Sequence, residues 1–185
     1  MTQGHDLTFR TIDLDRHADV AVTFRRDGYR IVTGSAQRFD ESIGARAYLK
    51  WLENRIRRSR LGQVHVWAGD DIIGQIEARQ QRNSLKCGLV NFYYLAPAWR
   101  GRGLGRALEA YTSAYFQSLG VTSLSLNVRE TNQRAYHFYC RQGWQHCGPT
   151  PGVEGHIRME RYFDGATSQF VPTYLDSQAN VSIQS

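Results

Sequence analysis

The stretch that most constrains the fold runs from Leu95 to Leu108, where three glycines alternate with Arg102 and Leu104. A β-rich segment, Leu89 to Leu95, leads into it, and an amphipathic helical pattern follows it. Glycine permits tight turns and lets a ligand approach the backbone amides closely. The sequence therefore predicts a strand, a glycine-rich turn and a long helix whose N-terminus is open to a ligand.

This helix N-terminus has the properties of an anion site. The first four amides of a helix lack partners inside it, and the positive end of the helix dipole lies beside them. Three arginines, Arg100, Arg102 and Arg106, add positive charge. No Lys-Ser or Lys-Thr pair follows, which excludes a P-loop, and Arg106 or Leu108 would stand at the last glycine of a dinucleotide fingerprint. The pattern favours a pyrophosphate ligand over a turn that only connects two elements.

Apolar periodicity and turn residues divide the rest of the chain into alternating elements. Strands are predicted at Leu7–Ile12, Val64–Ala68, Ile72–Gln80, Leu89–Leu95, Ser123–Val128, Trp144–Cys147 and Gly155–Tyr162. Helices are predicted from about Leu14 to Asp27 with Gly28 as the end, from Asp40–Ser42 to the arginines at 55–60, from about Gly103 to Leu119, and from Thr131 or Asn132 to Gly143. We expect one domain over residues 1–163 and a polar C-terminal tail over residues 164–185.

Composition narrows the functional classes. The 185 residues carry a net charge of +6, which favours nucleic acid, an acidic surface or a phosphate-rich cofactor as partner. The three cysteines have no zinc-site spacing, so we expect reduced thiols and no metal. The first residues lack the apolar core of a signal peptide, and no run approaches the roughly 18 apolar residues that cross a bilayer. A cytoplasmic protein without a membrane partner is expected.

Two motifs follow one another along the chain. The first, Arg or Gln, two residues, Gly, one residue, then Gly or Ala, is met by Arg100, Gly103 and Gly105. The second consists of Asn132, Ala135, Phe138-Tyr139 and Gly143-Trp144. In this order, and with a helix and a strand between them, they resemble the GNAT superfamily of acyl-CoA-dependent N-acyltransferases. The resemblance covers roughly Val64 to Tyr162.

The resemblance implies both a fold and an activity. The fold is α/β: a mixed, mostly antiparallel sheet of six or seven strands, with helices on both faces. The strands Leu89–Leu95 and Ser123–Val128 would run parallel as a central pair and splay apart, so that the cofactor enters between them. The implied activity is transfer of the acetyl group of acetyl-CoA to a primary amine, by direct attack through a tetrahedral intermediate. The acceptor would be a small molecule or a peptide, and the chain is compatible with a homodimer.

The resemblance also assigns roles to residues. The end of the Leu89–Leu95 strand would pair through its backbone with the pantetheine arm, and the glycine-rich loop would hold the pyrophosphate. Tyr139 would be the general acid near the thioester sulfur, because a phenol is protonated at neutral pH. The predicted cofactor-binding residues are Tyr93, Tyr94, Leu95, Arg100, Gly101, Arg102, Gly103, Leu104, Gly105, Arg106, Asn132 and Tyr139.

The general base is not set by the resemblance. Ribosomal-protein N-terminal acetyltransferases place a glutamate five residues before the asparagine, whereas this chain has Asn127 there. Glu77 is the best remaining carboxylate and could act through a water, with Glu130 as the second choice. For both, the sequence favours a solvated surface carboxylate over a catalytic role. A third option needs no base, since the amine can arrive neutral or lose its proton through water.

Two other functional classes compete with the enzyme. A non-catalytic acyl-CoA-binding or regulatory module would keep the cofactor site, and the missing carboxylate at position 127 favours it. A basic nucleic-acid-binding domain would bind duplex with an affinity that falls steeply with salt, and coenzyme A would not compete. The two motifs disfavour nucleic acid as the partner.

Overall fold

The computed structural model describes residues 6–81 and 84–163, and within these ranges the chain forms seven strands and five helices. The strands are β1 (Leu7–Thr11), β2 (Gln63–Ala68), β3 (Asp71–Gln81), β4 (Ser84–Leu95), β5 (Ser123–Arg129), β6 (Gln145–Pro149) and β7 (His156–Tyr162). The helices are α1 (Leu14–Thr33), α2 (Gln37–Ser42), α3 (Ala45–Arg58), α4 (Gly105–Ser118) and α5 (Gln133–Arg141). The predicted tail at 164–185 lies outside the described residues.

All seven strands belong to one sheet, in the order β1-β2-β3-β4-β5-β7-β6. Every pairing is antiparallel except the one between β4 and β5, which is parallel. This confirms the predicted mixed, mostly antiparallel sheet with a parallel central pair. No helix of the described residues is both long enough and apolar enough to span a membrane.

The parallel pair is short, and we call the region between β4 and β5 beyond their last register pair the fissure. Only three residues of β4 pair with β5, and the last pair is Leu89 with Ser125. Immediately afterwards β4 carries one extra residue relative to β3, because Ala78 faces Val90 while Glu77 already faces Phe92. Such a bulge bends the strand that contains it. The part of β4 that follows the bulge can therefore diverge from β5, which agrees with the predicted splay of the two strands.

The bulge also decides which side chains face which helices. Val90, before the bulge, packs into the same apolar cluster as Tyr93 and Leu95 after it. Phe92 and Tyr94 point to the other side and join a cluster with α1. The first cluster contains the buried residues of α4 and α5, so these helices cover one face of the sheet, while α1 and α3 cover the other. Helices on both faces were predicted, and the structure confirms them.

Two predicted helix boundaries are wrong. The first helix continues through Gly28, which is buried, and ends at Gly34, whose φ of 79° is the left-handed conformation of a helix C-cap. Asp40 does not begin the next long helix, since it lies inside the short α2 and α3 starts only after Gly44. The carboxylate of Asp40 instead accepts hydrogen bonds from Arg26 of α1. Partners supplied by tertiary packing thus override the local capping signal.

A buried ion pair helps to seat α1 on the sheet. The guanidinium of Arg25, a residue that is 1% exposed, donates to Oε2 of Glu77 on β3 at 3.2 Å. The other carboxylate oxygen accepts from the hydroxyl of Tyr48 at 2.7 Å and from Nε2 of Gln75 at 2.8 Å. Buried charges are tolerated in proteins when they are paired and hydrogen-bonded in this way. The network joins α1, α3 and β3.

Replacing Arg25 by methionine, which keeps much of the side-chain volume, should destabilise the protein by about 3–5 kcal/mol. The physical reason is that the buried carboxyl of Glu77 would lose its cation and the hydrogen bond to Oε2. The measurement is urea unfolding at neutral pH. The matched control is Arg26→Met, which removes an exposed ion pair with Asp40 on the neighbouring position and should change stability little. Equal losses for the two variants would contradict this account of α1 docking.

Candidate active site

The glycine-rich loop follows a 3-10 turn at Pro97–Trp99 and leads directly into α4. Gly101 and Gly103 both have a φ of 78°, a conformation that side-chain-bearing residues rarely adopt. The helix N-cap, Leu104, makes no side-chain cap hydrogen bond. The amides of Arg106 and Ala107 donate to the carbonyls of Gly103 and Leu104 at 3.3 and 3.0 Å. Among the described residues no backbone hydrogen bond is found from the amides of residues 101–105, so these amides can bind an external acceptor.

The third glycine has a packing role. A Cβ at Gly105 would lie 2.8 Å from the ring of Phe138, a distance that real Cβ atoms essentially never show. Gly105 therefore allows the first turn of α4 to lie directly against α5. A Cβ at Gly101 would lie 3.7 Å from a guanidinium nitrogen of Arg134 on α5, which places this cation beside the loop. Arg134 was not predicted, because only the packing of α5 against α4 brings it here.

The three arginines of the loop have different surroundings. Arg102 is exposed, and its guanidinium lies over the ring of Trp99 at 5.1 Å. Arg106 is also exposed. Arg100 turns inward instead: Nε donates to the carbonyl of Leu95 at 2.8 Å, and a terminal nitrogen donates to Asp27 of α1 at 2.9 Å. Of the three loop arginines, only Arg102 and Arg106 thus present their charge to solvent.

The end of β4 forms one wall of the fissure. Tyr93, Tyr94 and Leu95 are buried, and the tyrosine side chains point to opposite faces of the sheet. Burial raises the pKa of Tyr93 well above its ordinary value. The pKa of Tyr94 is raised as well, first by burial and then by its hydrogen bond to Asp27, at 2.8 Å. Both phenols stay neutral at physiological pH, so β4 offers its backbone, rather than charge, to a ligand in the fissure.

The second motif brings Asn132 and Tyr139 together on α5. The side-chain oxygen of Asn132 caps the helix by accepting from the amide of Ala135 at 3.2 Å. Its amide nitrogen is buried and has no acceptor among the described residues, which is compatible with the predicted cofactor contact. Tyr139 is fully buried in the apolar cluster that α4 and α5 form with the sheet. Its ring packs edge-on against Trp144, with the ring centres 5.5 Å apart.

The candidate carboxylates lie in opposite environments. Glu77 is fully buried in the network with Arg25, so its interpretation as a solvated surface residue is wrong. Glu130 is exposed, which agrees with that interpretation. Asn127 is buried on β5, and its side-chain oxygen accepts from the hydroxyl of Thr150 at 3.1 Å. Position 127 is thus a hydrogen-bonded amide next to the fissure.

Sequence reasoning missed the residues that act through tertiary contacts. Asp27 was interpreted as the end of a helix, although it holds Arg100. The bulge at Asn91 has no local sequence signal, since it is defined only by the pairing of β3 and β4. No group of three histidine, cysteine, aspartate or glutamate side chains in residues 6–81 and 84–163 could hold a metal ion.

Residues 26–144 match the acetyltransferase (GNAT) family. The chain belongs to the GNAT acetyltransferase family. The match begins in α1, well before Val64, so the family resemblance extends further towards the N-terminus than the two motifs indicated. It also includes the glycine-rich loop and the whole of α5.

Solved structures of this family share the fold. The PaiA N-acetyltransferase of Thermoplasma acidophilum in complex with coenzyme A has a TM-score of 0.69 and 16% identity, over 85% of this chain and 99% of that one. YncA of Salmonella typhimurium with acetyl-CoA has a TM-score of 0.66 and 18% identity, over 88% and 97%. Ribosomal-protein-alanine N-acetyltransferase of Brucella melitensis has a TM-score of 0.65 and 18% identity, over 84% and 99%.

One curated relative matches over a limited region. The streptothricin acetyltransferase of Streptomyces lavendulae is 37% identical over 54 residues, which is 29% of this chain and 29% of that protein. The match therefore spans less than a third of the relative.

Replacing Gly103 by valine should weaken binding of coenzyme A by about 100-fold or more, measured by calorimetry. Apart from its neighbours in the chain, no atom of the described residues lies within 4 Å of the position where a Cβ would be, so the new side chain would extend into the open space beside the loop. Gly34→Val is the matched control, because Gly34 has a φ of 79° and equally open surroundings at the end of α1. Both variants should lose similar stability, and unchanged affinity in Gly103→Val would contradict the loop assignment.

Proposed function

We propose that this GNAT protein is an N-acetyltransferase that transfers the acetyl group of acetyl-CoA to a primary amine. The observation that carries the proposal is the uncapped N-terminus of α4, preceded by two left-handed glycines, at the end of the strand that borders the fissure. Amides and arginines at such a terminus suit the pyrophosphate of coenzyme A. Two structural relatives were solved with coenzyme A or acetyl-CoA, which supports the same ligand class here.

We assign the pantetheine arm and the thioester of acetyl-CoA to the fissure. Among the described residues, no register pair joins the end of β4, residues 92–95, to β5, so this part of the backbone can hydrogen-bond to an extended ligand as a neighbouring strand would. An amide of this edge near Leu95 can also stabilise the oxyanion that forms when the amine attacks the thioester carbonyl. Direct attack needs no covalent enzyme intermediate, and we assign no nucleophile among the protein side chains.

Tyr139 is the proposed general acid for the departing thiolate. It lies on α5, seven residues after the helix-capping Asn132 of the second motif, and its ring is packed against Trp144 and Phe138. A phenol carries a proton at neutral pH and can donate it to the sulfur as the carbon–sulfur bond breaks. These two contacts restrict the motion of the ring, and a general acid needs such a fixed position.

The assignment of Glu77 as the base stays a prediction, and its surroundings argue for a different route. Both carboxylate oxygens accept hydrogen bonds from Arg25, Tyr48 or Gln75, beneath α1 and α3. A base must reach the attacking amine directly or through a water. We therefore favour the option in which the amine arrives neutral or loses its proton to solvent, with Glu77 holding the helices in place.

The acceptor is proposed as a small-molecule or peptide amine. The relative in Streptomyces lavendulae is named for streptothricin, and the relative in Brucella melitensis for an alanine of a ribosomal protein. These two names span both classes of acceptor, so they do not decide between them. The expectations of a cytoplasmic location and of a homodimer stay predictions.

A non-catalytic acyl-CoA-binding module is the second candidate. Asn127 at the family's glutamate position and the ion-paired Glu77 favour it, because neither can readily accept a proton from an ammonium group. The experiment that separates the two mixes the protein with acetyl-CoA and a panel of amines, and follows release of free thiol. Thiol release that depends on the amine supports the enzyme. Binding of coenzyme A without release across a panel of peptides, aminoglycosides, polyamines and amino acids supports the module.

Replacing Tyr139 by phenylalanine should lower kcat by about 100-fold or more, with little change in the affinity for coenzyme A. The loss follows from the missing proton donor, since the ring and its packing are preserved. Tyr136→Phe is the matched control on the same helix, because its hydroxyl contacts His146 outside the fissure. Steady-state kinetics and calorimetry give the two quantities, and full activity in Tyr139→Phe would remove this residue from the mechanism.

A further inference from the structure

Asp27 joins three parts of the molecule that are far apart in sequence. It lies on α1, and its carboxylate accepts a hydrogen bond from the hydroxyl of Tyr94, near the end of β4, at 2.8 Å. It also accepts from Arg100, 73 residues away at the entrance of the glycine-rich loop, at 2.9 Å. A third donor, Arg30, comes from the next turn of α1 at 2.8 Å. One partly buried carboxylate thus connects a helix, a strand end and the loop.

Arg100 connects Asp27 to the backbone at the end of β4. While one nitrogen of its guanidinium binds Asp27, Nε donates to the carbonyl of Leu95, the last residue of β4. The planar guanidinium stacks over the ring of Tyr94, with its carbon 5.1 Å from the ring centre. Because a guanidinium is rigid and planar, fixing one side of it fixes the other. The arginine therefore ties the start of the loop to the end of the strand.

The loop is exposed and rich in glycine, so support from Arg100 can help to order it. Gly101, Arg102 and Gly103 are exposed, and two of them are glycines in a left-handed conformation. Ordering such a segment when a ligand binds costs conformational entropy, which lowers affinity. A tether that holds the segment before the ligand arrives avoids part of that loss.

We propose that Asp27 is a positioning residue for the cofactor loop: it holds Arg100 against Leu95 and so keeps the amides before α4 ready for the pyrophosphate. Arg100, in this view, contributes through its fork between Asp27 and Leu95 rather than by direct contact with phosphate. The inference rests on the proposed function, because it requires that the loop binds coenzyme A. It adds a residue outside both sequence motifs to the cofactor site.

The test is calorimetry with coenzyme A on the full chain and its variants, together with acetyl-CoA kinetics. Asp27→Asn should weaken coenzyme A binding by about tenfold and raise the KM for acetyl-CoA to a similar extent. The kcat at saturating acetyl-CoA should stay within about twofold of the unchanged protein, since the reacting atoms are not touched. Asp40→Asn is the matched control: this carboxylate also binds an arginine of α1 but has no contact with the loop.

Arg100→Lys provides a second, independent variant. A lysine keeps the positive charge but has no planar fork to bind Asp27 and Leu95 together. It should weaken binding about as much as Asp27→Asn, and the double variant should bind no more weakly than either single one, because both remove one tether. If Arg100 instead bound phosphate directly, its charge would suffice, and Arg100→Lys would bind coenzyme A as well as the unchanged protein; that result would overturn the positioning role.

The outcomes separate this inference from the proposed function. If the unchanged protein gives no heat with coenzyme A, the cofactor assignment itself is wrong. If it binds but Asp27→Asn and Arg100→Lys bind equally well, only the positioning role is overturned. Additive losses in the double variant, or a loss of kcat without a loss of affinity, also overturn it. Thermal melting establishes that each variant is folded, and Arg100→Lys alone decides the question if Asp27→Asn does not fold.

Discussion

The separation of β4 from β5 after Leu89 and Ser125 is the constraint on which the rest of the structure depends. Two parallel strands in the middle of a sheet normally satisfy each other's backbone groups along their whole length. Here the bulge at Asn91 bends β4 away, and the edge at the end of the strand is the proposed surface for an extended ligand. The proposed ligand site therefore lies where the pairing between β4 and β5 stops.

The open sheet is held from its two faces by different interactions. On the face of α4 and α5 the contacts are mainly apolar, and Gly105 lets the helices approach closely beside the loop. On the face of α1 and α3, the pair of Arg25 and Glu77 and the group around Asp27 set the position of the helix by charge. Hydrogen-bonded charges have a defined geometry, whereas apolar contacts tolerate small shifts. The charged contacts therefore fix the position of α1 relative to the end of β4.

The arginines show why residue type does not establish a role. Arg100 and Arg102 are two positions apart, yet one is directed inward to Asp27 and Leu95 while the other lies on Trp99 in solvent. The inward position exists because α1, from a distant part of the chain, delivers a carboxylate there. A motif thus identifies the residues of a site, and their partners decide what each one does.

The sequence by itself determined the elements and the order in which they occur. Glycines with positive φ at 101 and 103, the cap at Asn132 and the apolar periods are local effects, so they could be predicted from neighbouring residues. Only the tertiary structure decided the burial of Glu77, the length of α1 and the partner of Arg100, because each depends on residues more than 50 positions away or on packing against the sheet. Local backbone preferences are encoded within a few residues, whereas burial and ion pairing arise only when the chain is folded.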